Sequence, residues 1–360
     1  MKGWALHRFD EVFDLQMGKT PDRKTPGYFG GDNVWVSIRD MGNKEILDSN
    51  EHITDEAVIA TNIRKVKKGT VIMSFKLTVG KCAIAARDLY TNEAIMAFNL
   101  KEGYDISADF LYYYLQGYKW EGANKAVMGL TLNKATISKH KIGFPSLSEQ
   151  LSIVSELDKI NELIGQKKSQ MSDFDKLELS IFYDMFGDPT KNEKGWEVKN
   201  WSDVLTIING KNQKAVECND GDYPIYGSGG IMSYANNWLC PEDCIVIGRK
   251  GNINKPIFVH TKFWNVDTAF GLDAKRDILS PTYLYFFCID YDFERLNKAV
   301  TIPSLTKADL LKISMPVPSL SLQRDFAKRI EVIEQQKEQI SSTIKDLETL
   351  LASRMQYWFD

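Results

Sequence analysis

The residues best suited to binding chemistry in this sequence are two basic side chains between two glycines, Gly248-Arg249-Lys250-Gly251. Glycine lets a backbone approach a ligand closely, because no β-carbon stands in the way. An arginine guanidinium can donate two hydrogen bonds to one edge of guanine, and a lysine ammonium can contact a phosphate. This pattern indicates contact with a nucleic acid.

Other polar side chains stand in loops that adjoin predicted strands in both halves of the sequence. In the first half the candidate DNA-contacting residues are Lys19, Thr20, Arg23, Lys24, Lys76, Lys81, Asn133 and Lys134. In the second half they are Lys211, Asn212, Gln213, Arg249, Lys250, Lys255, Thr306 and Lys307. An alternative stays open for Lys134 and Lys307, which could recur because they stabilise a turn shared by both halves.

The distribution of charge favours this interpretation, although the formal net charge is -3. No acidic residue occurs in residues 57–87, and a weaker basic segment covers residues 245–262. A local basic strip is what contact with phosphates requires. The alternative is a solvated strand edge on which lysines oppose aggregation. The basic residues of the first segment are Arg64, Lys65, Lys67, Lys68, Lys76, Lys81 and Arg87.

Motifs of catalysis are missing from the sequence. It has no Gly-x-x-x-x-Gly-Lys phosphate loop, no His-Glu-x-x-His zinc motif and no Gly-x-Ser-x-Gly nucleophile elbow. The Gly-rich residues 226–230 lack the lysine of a nucleotide loop and predict a tight turn. Cys240 and Cys244 are the only close pair among five cysteines, and buried free thiols are favoured over an incomplete zinc site. We therefore expect no catalytic, cofactor-binding or metal-binding residues.

The elements that must position the loops are present twice. Residues 145–150, Pro-Ser-Leu-Ser-Glu-Gln, return as Pro-Ser-Leu-Ser-Leu-Gln at residues 318–323, an offset of 173 residues. The sequence Lys-Gly-Trp, at residues 2–4 and 194–196, marks the start of each copy. This period far exceeds the roughly 20–50 residues of solenoid repeats, so the chain is a duplicated domain.

A long amphipathic helix is predicted at the end of each copy. In the second copy, apolar residues recur at helical spacing from Phe326 to Trp358, with Lys337 at one seam position. Neither helix is polar on all sides, so each needs a partner, and we expect the two helices to pack on each other. The looser first seam is predicted at Leu151, Val154, Leu157, Ile160, Ile164, Met171, Phe174, Leu177 and Ile181.

The predicted fold class is α+β, with two globular domains that are each followed by a long helix, and with the two helices packed as an antiparallel coiled coil. Aromatic runs after Ser107 and Ser280 predict two further helices that begin at these serines. The predicted boundaries are residues 1–145 for the first domain, 146–188 for its helix, 189–317 for the second domain and 318–360 for the second helix.

Composition indicates a cytoplasmic location. No stretch approaches 18 consecutive apolar residues, and the N-terminus has no charged-then-apolar signal pattern. The odd number of cysteines argues against a secreted disulfide framework. We therefore expect no contact with a membrane.

Two unlike globular domains are each followed by a long helix that begins with Pro-Ser-Leu-Ser-x-Gln and closes near an aromatic, Phe186 or Phe359. This arrangement resembles the DNA-specificity (S) subunit of type I restriction–modification enzymes. The resemblance covers the whole chain and implies two target-recognition domains that each read half of a split site in double-stranded DNA. It also implies methyltransferase (M) subunits that hold S-adenosylmethionine and a motor-nuclease (R) subunit that uses ATP. The recognition loops of this family vary too much for individual residues to be transferred.

The two domain sequences differ outside their framework positions, so we expect unlike half-sites and an asymmetric bipartite target. Two readers joined by a rod of roughly 55–60 Å would meet DNA more than one helical turn apart. The chain would then be a non-catalytic recognition subunit. Two alternatives remain open: a protein-interaction scaffold whose coiled coil is the functional surface, and a nuclease or methyltransferase in its own right.

Overall fold

A computed structural model describes residues 3–121, 124–126, 129–297 and 303–360. The chain forms two compact units, one comprising residues 1–167 and 343–360 and the other residues 168–342. Each unit combines β-sheets with short helices and with parts of two long helices. The predicted α+β class is therefore confirmed, while the predicted domain boundaries stay a prediction.

The first unit contains a five-stranded sheet of order β2-β10-β6-β8-β4 and smaller sheets β11-β12-β7, β5-β3-β9 and β1-β13. Its strands are β1 Leu6–Arg8, β2 Phe13–Met17, β3 Phe29–Val36, β4 Glu45–Ile46, β5 Glu51–Ile53, β6 Val71–Ser74, β7 Lys76–Leu77, β8 Cys82–Ala85, β9 Tyr90–Thr91, β10 Ile95–Leu100, β11 Asn124–Ala126, β12 Gly129–Thr131 and β13 Lys141–Gly143. Its short helices are α1 Phe9–Val12, α2 Asp55–Thr61, α3 Ala108–Gly117 and α4 Lys134–Lys139. The long helix α5 Leu147–Phe186 follows.

The second unit contains a four-stranded sheet of order β15-β21-β18-β19 and smaller sheets β17-β16-β20 and β14-β22. Its strands are β14 Glu197–Asn200, β15 Leu205–Asn209, β16 Tyr223–Gly227, β17 Gly230–Ala235, β18 Cys244–Gly248, β19 Ile257–Val259, β20 Trp264–Asn265, β21 Ala269–Ala274 and β22 Ser314–Val317. Its short helices are α6 Trp201–Val204, α7 Pro281–Asp290 and α8 Lys307–Leu310, and the long helix α9 Leu320–Phe359 follows.

The repeated Pro-Ser-Leu-Ser-x-Gln motif ends in a glutamine that joins the long helix to the domain before it. Gln150 is fully buried; its Oε1 accepts from the Ser107 N–H at 2.9 Å and its Nε2 donates to the Pro145 carbonyl at 3.0 Å. In the second unit, buried Gln323 accepts from the Ser280 N–H at 2.7 Å. Both glutamines thus fix the beginning of an aromatic-rich helix, α3 or α7.

The predicted helix caps at the two serines differ in detail. The Ser107 hydroxyl accepts from the Phe110 N–H at the start of α3, as the sequence predicted. Ser280 occupies the N-cap position of α7, but its side chain makes no capping hydrogen bond there. Pro281 has no N–H group, and the buried amide of Gln323 binds the Ser280 backbone instead.

The two long helices pair in an antiparallel manner. In the first unit, Arg354 and Trp358, late in α9, both donate to the Glu156 carboxylate, early in α5. In the second unit, Phe326, early in α9, packs on Phe182, late in α5, with ring centroids 5.7 Å apart. The antiparallel coiled coil is confirmed.

The predicted seam of the first helix was wrong at two positions. Leu151 is 56% exposed and Leu177 is 43% exposed, whereas Ile153 and Glu178 are buried. A repeat of three and four residues fixes the width of an apolar stripe but not which of two neighbouring residues faces inward. Ile153 packs into the core beneath α3, and this tertiary contact decides the matter.

Candidate nucleic-acid interface

The recurring Gly-Lys pair, which follows β2 in the first unit and β15 in the second, is part of the framework. The Lys19 N–H donates to the Thr91 carbonyl at 2.9 Å, and the Lys211 N–H donates to the Asn265 carbonyl at 3.0 Å. A β-carbon on Gly18 would lie 2.0 Å from a carbonyl oxygen of the neighbouring strand, far inside contact distance. Close backbone approach therefore explains why this glycine recurs.

A buried tryptophan holds each of these lysines in place through its backbone. The indole Nε1 of Trp35 donates to the Lys19 carbonyl at 3.0 Å, and that of Trp264 donates to the Lys211 carbonyl at 2.9 Å. The first unit contains the parallel strand pair β3-β9, and the second contains the parallel pair β16-β20. Trp35 lies in the earlier strand of its pair, β3, whereas Trp264 lies in the later strand of its pair, β20. The two tryptophans do not align in sequence, so their common role is visible only in the structure.

The side chains of two candidates in the first unit, Lys19 and Thr20, make hydrogen bonds to other residues of the same unit. The Lys19 ammonium donates to the Thr61 carbonyl at 2.8 Å and to the Asn62 carbonyl at 3.2 Å, at the end of α2. The Thr20 hydroxyl donates to the Glu93 carboxylate. Both side chains therefore stabilise the loop that carries them.

Arg23 lies on an aromatic surface beside an exposed carboxylate. Its guanidinium makes two hydrogen bonds to Glu51, at 2.7 and 2.9 Å, and lies 4.8 Å from the ring centroid of Phe29. This pairing lowers the pKa of the Glu51 carboxyl. The neighbouring Lys24 is exposed. An exposed ion pair contributes little to stability, so Arg23 could exchange Glu51 for another anion at low cost.

The loops after β6 and β18 occupy equivalent positions. Ser74 at the end of β6 pairs with Ile95, and Gly248 at the end of β18 pairs with Ala269. The next residue in each unit accepts a hydrogen bond through its carbonyl: Phe75 from the Leu132 N–H at 2.8 Å and Arg249 from the Leu305 N–H at 2.9 Å. The following pairs, Lys76 with Lys250 and Leu77 with Gly251, are therefore equivalent as well.

The two loops have equivalent backbone positions, but some of these positions carry different side chains. Phe75 is buried, whereas Arg249 is exposed and its guanidinium lies 5.7 Å from the ring centroid of Phe270. Lys76 is half-buried, and Lys250 is exposed. The lysine position is thus common to both units, while the residue before it differs.

In the second unit, the Gly-rich turn between β16 and β17 meets the Arg249 loop. A β-carbon on Gly248 would lie 3.0 Å from the Ser228 β-carbon, and one on Gly251 would lie 3.7 Å from the Ser228 hydroxyl. The tight turn predicted for residues 226–230 is confirmed. The loops that carry Ser228 and Arg249 form one candidate surface, and Lys255, further along the chain, is exposed.

The residues at the start of α4 and α8 make structural hydrogen bonds. The side chains of Asn133 and Thr306 are N-caps, accepting from the N–H groups of Thr136 and Asp309 respectively. The Lys307 ammonium donates to the Ile207 carbonyl at 2.6 Å. Lys307 therefore has a structural contact with β15, and the alternative of a turn stabilised by both Lys134 and Lys307 stays open.

Two of the remaining candidates make hydrogen bonds within the protein. The Lys81 ammonium donates to the Ile38 carbonyl at 3.1 Å, and the Asn212 side chain accepts from the Lys214 N–H at 2.9 Å. Lys134 and Lys211 are exposed, and Gln213 is half-buried. The structure thus leaves the exposed lysines best placed for contact with phosphates.

The basic segment of residues 57–87 is partly neutralised by acidic residues from elsewhere in the first unit. Arg64 donates to Asp14 at 2.7 Å and holds the pKa of that carboxyl below its usual value. Lys67 lies 3.6 Å from Asp88. Lys65, Lys68 and Arg87 are exposed.

The comparison with known families decides the identity of the duplicated unit. The model of the type I restriction modification DNA specificity domain matches residues 1–172 and 193–349, one match for each copy. The chain belongs to this family. The description of this family gives DNA specificity as the role of the domain.

Curated relatives of this specificity-domain chain are themselves specificity subunits. That of the type I restriction enzyme MjaIX from Methanocaldococcus jannaschii is 30% identical over 233 residues, which cover 59% of this chain and 54% of that protein. That of the enzyme HindI from Haemophilus influenzae is 26% identical over 154 residues, which cover 40% of this chain and 32% of that protein. The chain thus matches about half, or less, of the length of these relatives.

Solved structures show the same fold over nearly the whole chain. The S subunit of a type I restriction–modification system from M. genitalium aligns with a TM-score of 0.58 at 17% identity, covering 99% of this chain and 96% of that one. A structure concerned with complex assembly and conformational transition of the type I system aligns with a TM-score of 0.63 at 17% identity, covering 100% and 98%.

The specificity-domain chain keeps its close cysteine pair as buried free thiols. Cys240 donates to the Asn265 side chain at 3.3 Å, and burial raises the pKa of its thiol to about 12. His260, the histidine nearest in sequence, pairs with Asp243. Among the described residues, no group of three or more His, Cys, Asp or Glu side chains could hold a metal ion. Within the same residues, no helix is long and apolar enough to cross a membrane.

Proposed function

We propose that this chain reads a bipartite, asymmetric target in double-stranded DNA, with one half-site for each unit. The observation that carries the proposal is that equivalent backbone positions hold unlike side chains, Phe75 against Arg249 and Leu77 against Gly251. Framework contacts to phosphates orient a protein on DNA, whereas contacts to base edges specify the sequence. Two frameworks of one design with different loop side chains suit two different half-sites.

The proposal extends to the partners. Methyltransferase subunits holding S-adenosylmethionine and a motor-nuclease subunit using ATP would bind this chain and be directed to its target. Exposed apolar side chains on α5 support protein docking, since Leu147 and Leu151 lie one helical turn apart and are both exposed. The cofactors would belong to the partners and not to this chain.

The proposal is tested by mapping DNA methylation on a plasmid after co-expression of this chain with its methyltransferase subunit. Methylation at one split, asymmetric sequence, seen only when this chain is present, is the expected result. Methylation that is unchanged by this chain would contradict the proposal. The protein-interaction scaffold without DNA readout would then become the better account of the paired helices.

A further inference from the structure

Leu77, in the loop after β6, has a backbone conformation that leucine rarely adopts. Its φ is +66°, and the Thr78 N–H donates to the Lys76 carbonyl at 2.8 Å, which closes a three-residue γ-turn around Leu77. In the described part of the chain, the other non-glycine residues with positive φ are asparagine or aspartate, which tolerate this region. The backbone of Leu77 is therefore strained, because leucine does not tolerate this conformation as asparagine and aspartate do.

Burial does not offset this strain, because the Leu77 side chain is 53% exposed. At the equivalent position of the second unit, Gly251 adopts φ +81° without a side chain to strain. Strained backbone of this kind is concentrated at binding sites, where the surrounding structure enforces it. The exposed leucine is thus kept where glycine would be the relaxed choice.

The surroundings of Leu77 suit DNA. The preceding Lys76 is one of the candidate DNA-contacting residues, and its ammonium lies 5.4 Å from the ring centroid of Phe75. The backbone of Leu77 pairs with Leu130 of β12, so the leucine lies on the edge strand of the three-stranded sheet β11-β12-β7. In the major groove of DNA, the C5-methyl group of thymine is the apolar feature that a side chain can read.

We propose that Leu77 contacts a thymine methyl group in the half-site read by the first unit. This inference rests on the proposed DNA-recognition function and adds a specificity-determining residue to it. The strained turn holds the exposed side chain next to Lys76, so that it meets the base edge without reorganisation.

The test compares wild type with Leu77→Gly, each in the full chain assembled with its methyltransferase subunit. The probe is a duplex with the target mapped by methylation, and a series in which each thymine is replaced by deoxyuridine, which lacks the methyl group. Leu47→Ala, which changes a 66% exposed leucine of the same unit, is the control. The thermal midpoint of Leu77→Gly should equal or exceed that of wild type, because glycine relieves the strain.

The expected result is that Leu77→Gly lowers affinity for the target by about tenfold. One deoxyuridine substitution should weaken wild type by a similar factor and leave Leu77→Gly unaffected. Equal binding by wild type and Leu77→Gly overturns the inference, as does a target without thymine or a set of substitutions that affect both proteins alike. If wild type itself shows no sequence-dependent binding, the proposed function fails together with this inference.

Discussion

At the scale of single residues, the recurring positions of this chain are mostly structural. Gln150 and Gln323 each make hydrogen bonds in three directions while fully buried, so their recurrence follows from the cost of leaving backbone groups unpaired. In the second unit, the Lys307 ammonium also makes a structural contact, with a carbonyl of β15. Arg249, which differs from its buried equivalent Phe75, is exposed.

Replacement of Gln323 with leucine should destabilise the second unit. The variant would leave the Ser280 N–H and the carbonyls of Ile278 and Pro318 buried without their partner, at a cost of about 2–4 kcal/mol in the free energy of unfolding. Urea unfolding would measure the change. The control is Gln335→Leu, at an exposed position of the same helix, and a midpoint shift no larger than that of the control would refute the role given to Gln323.

At the scale of elements, the pairing of the long helices contains one polar cluster. The Lys337 ammonium lies within 2.8–3.1 Å of carboxylates from Asp175, Glu178 and Glu334, so three acids face one base. Glu178 is 5% exposed, and burial together with the Glu334 carboxyl raises the pKa of Glu178 to about 7. A protonated Glu178 would relieve the repulsion.

This cluster should make the stability of the helix pairing depend on pH. The unfolded chain releases the Glu178 proton near its ordinary pKa of 4.5, whereas the folded protein holds it to about 7. The contribution of this group is therefore complete below about pH 4.5 and is lost as pH rises to 7. Wild type should lose about 1–3 kcal/mol more than Glu178→Gln between pH 5 and pH 8 in urea unfolding.

The control for this measurement is Glu338→Gln, which changes an exposed glutamate of α9 and should keep the wild-type dependence on pH. Identical pH dependence of wild type and Glu178→Gln would show that Glu178 is ionised throughout this range.

The sequence was sufficient to predict the long helices but not to predict which groups the loop side chains contact. A long apolar repeat that begins at a duplicated motif predicts a helix regardless of its partner, and both helices are 40 residues long. The bond from the Lys19 ammonium to the end of α2 depends on a segment about forty positions away, which spacing does not reveal. The same limit hid Glu178, whose burial depends on the partner helix.

At the scale of the whole molecule, duplication explains how one chain could read two unlike half-sites. Each unit repeats a Gly-Lys turn held by a tryptophan, an aromatic-rich helix held by a buried glutamine, and a loop with lysine at an equivalent position. Changes confined to the exposed loop residues would alter base contacts and leave the framework intact. Specificity of one half-site could then change independently of the other.

The most direct test of this account is a methylation map made with Arg249→Ala in place of wild type, each with the methyltransferase subunit. Arg249→Ala should relax the sequence requirement at one or two positions by about 5- to 100-fold, all within one half-site, since an arginine contact to a base contributes about 1–3 kcal/mol of discrimination. Arg324→Ala, at an exposed position of α9, should leave the map unchanged. Relaxation in both half-sites, or an unchanged map with Arg249→Ala, would contradict the division of the target between two independent readers.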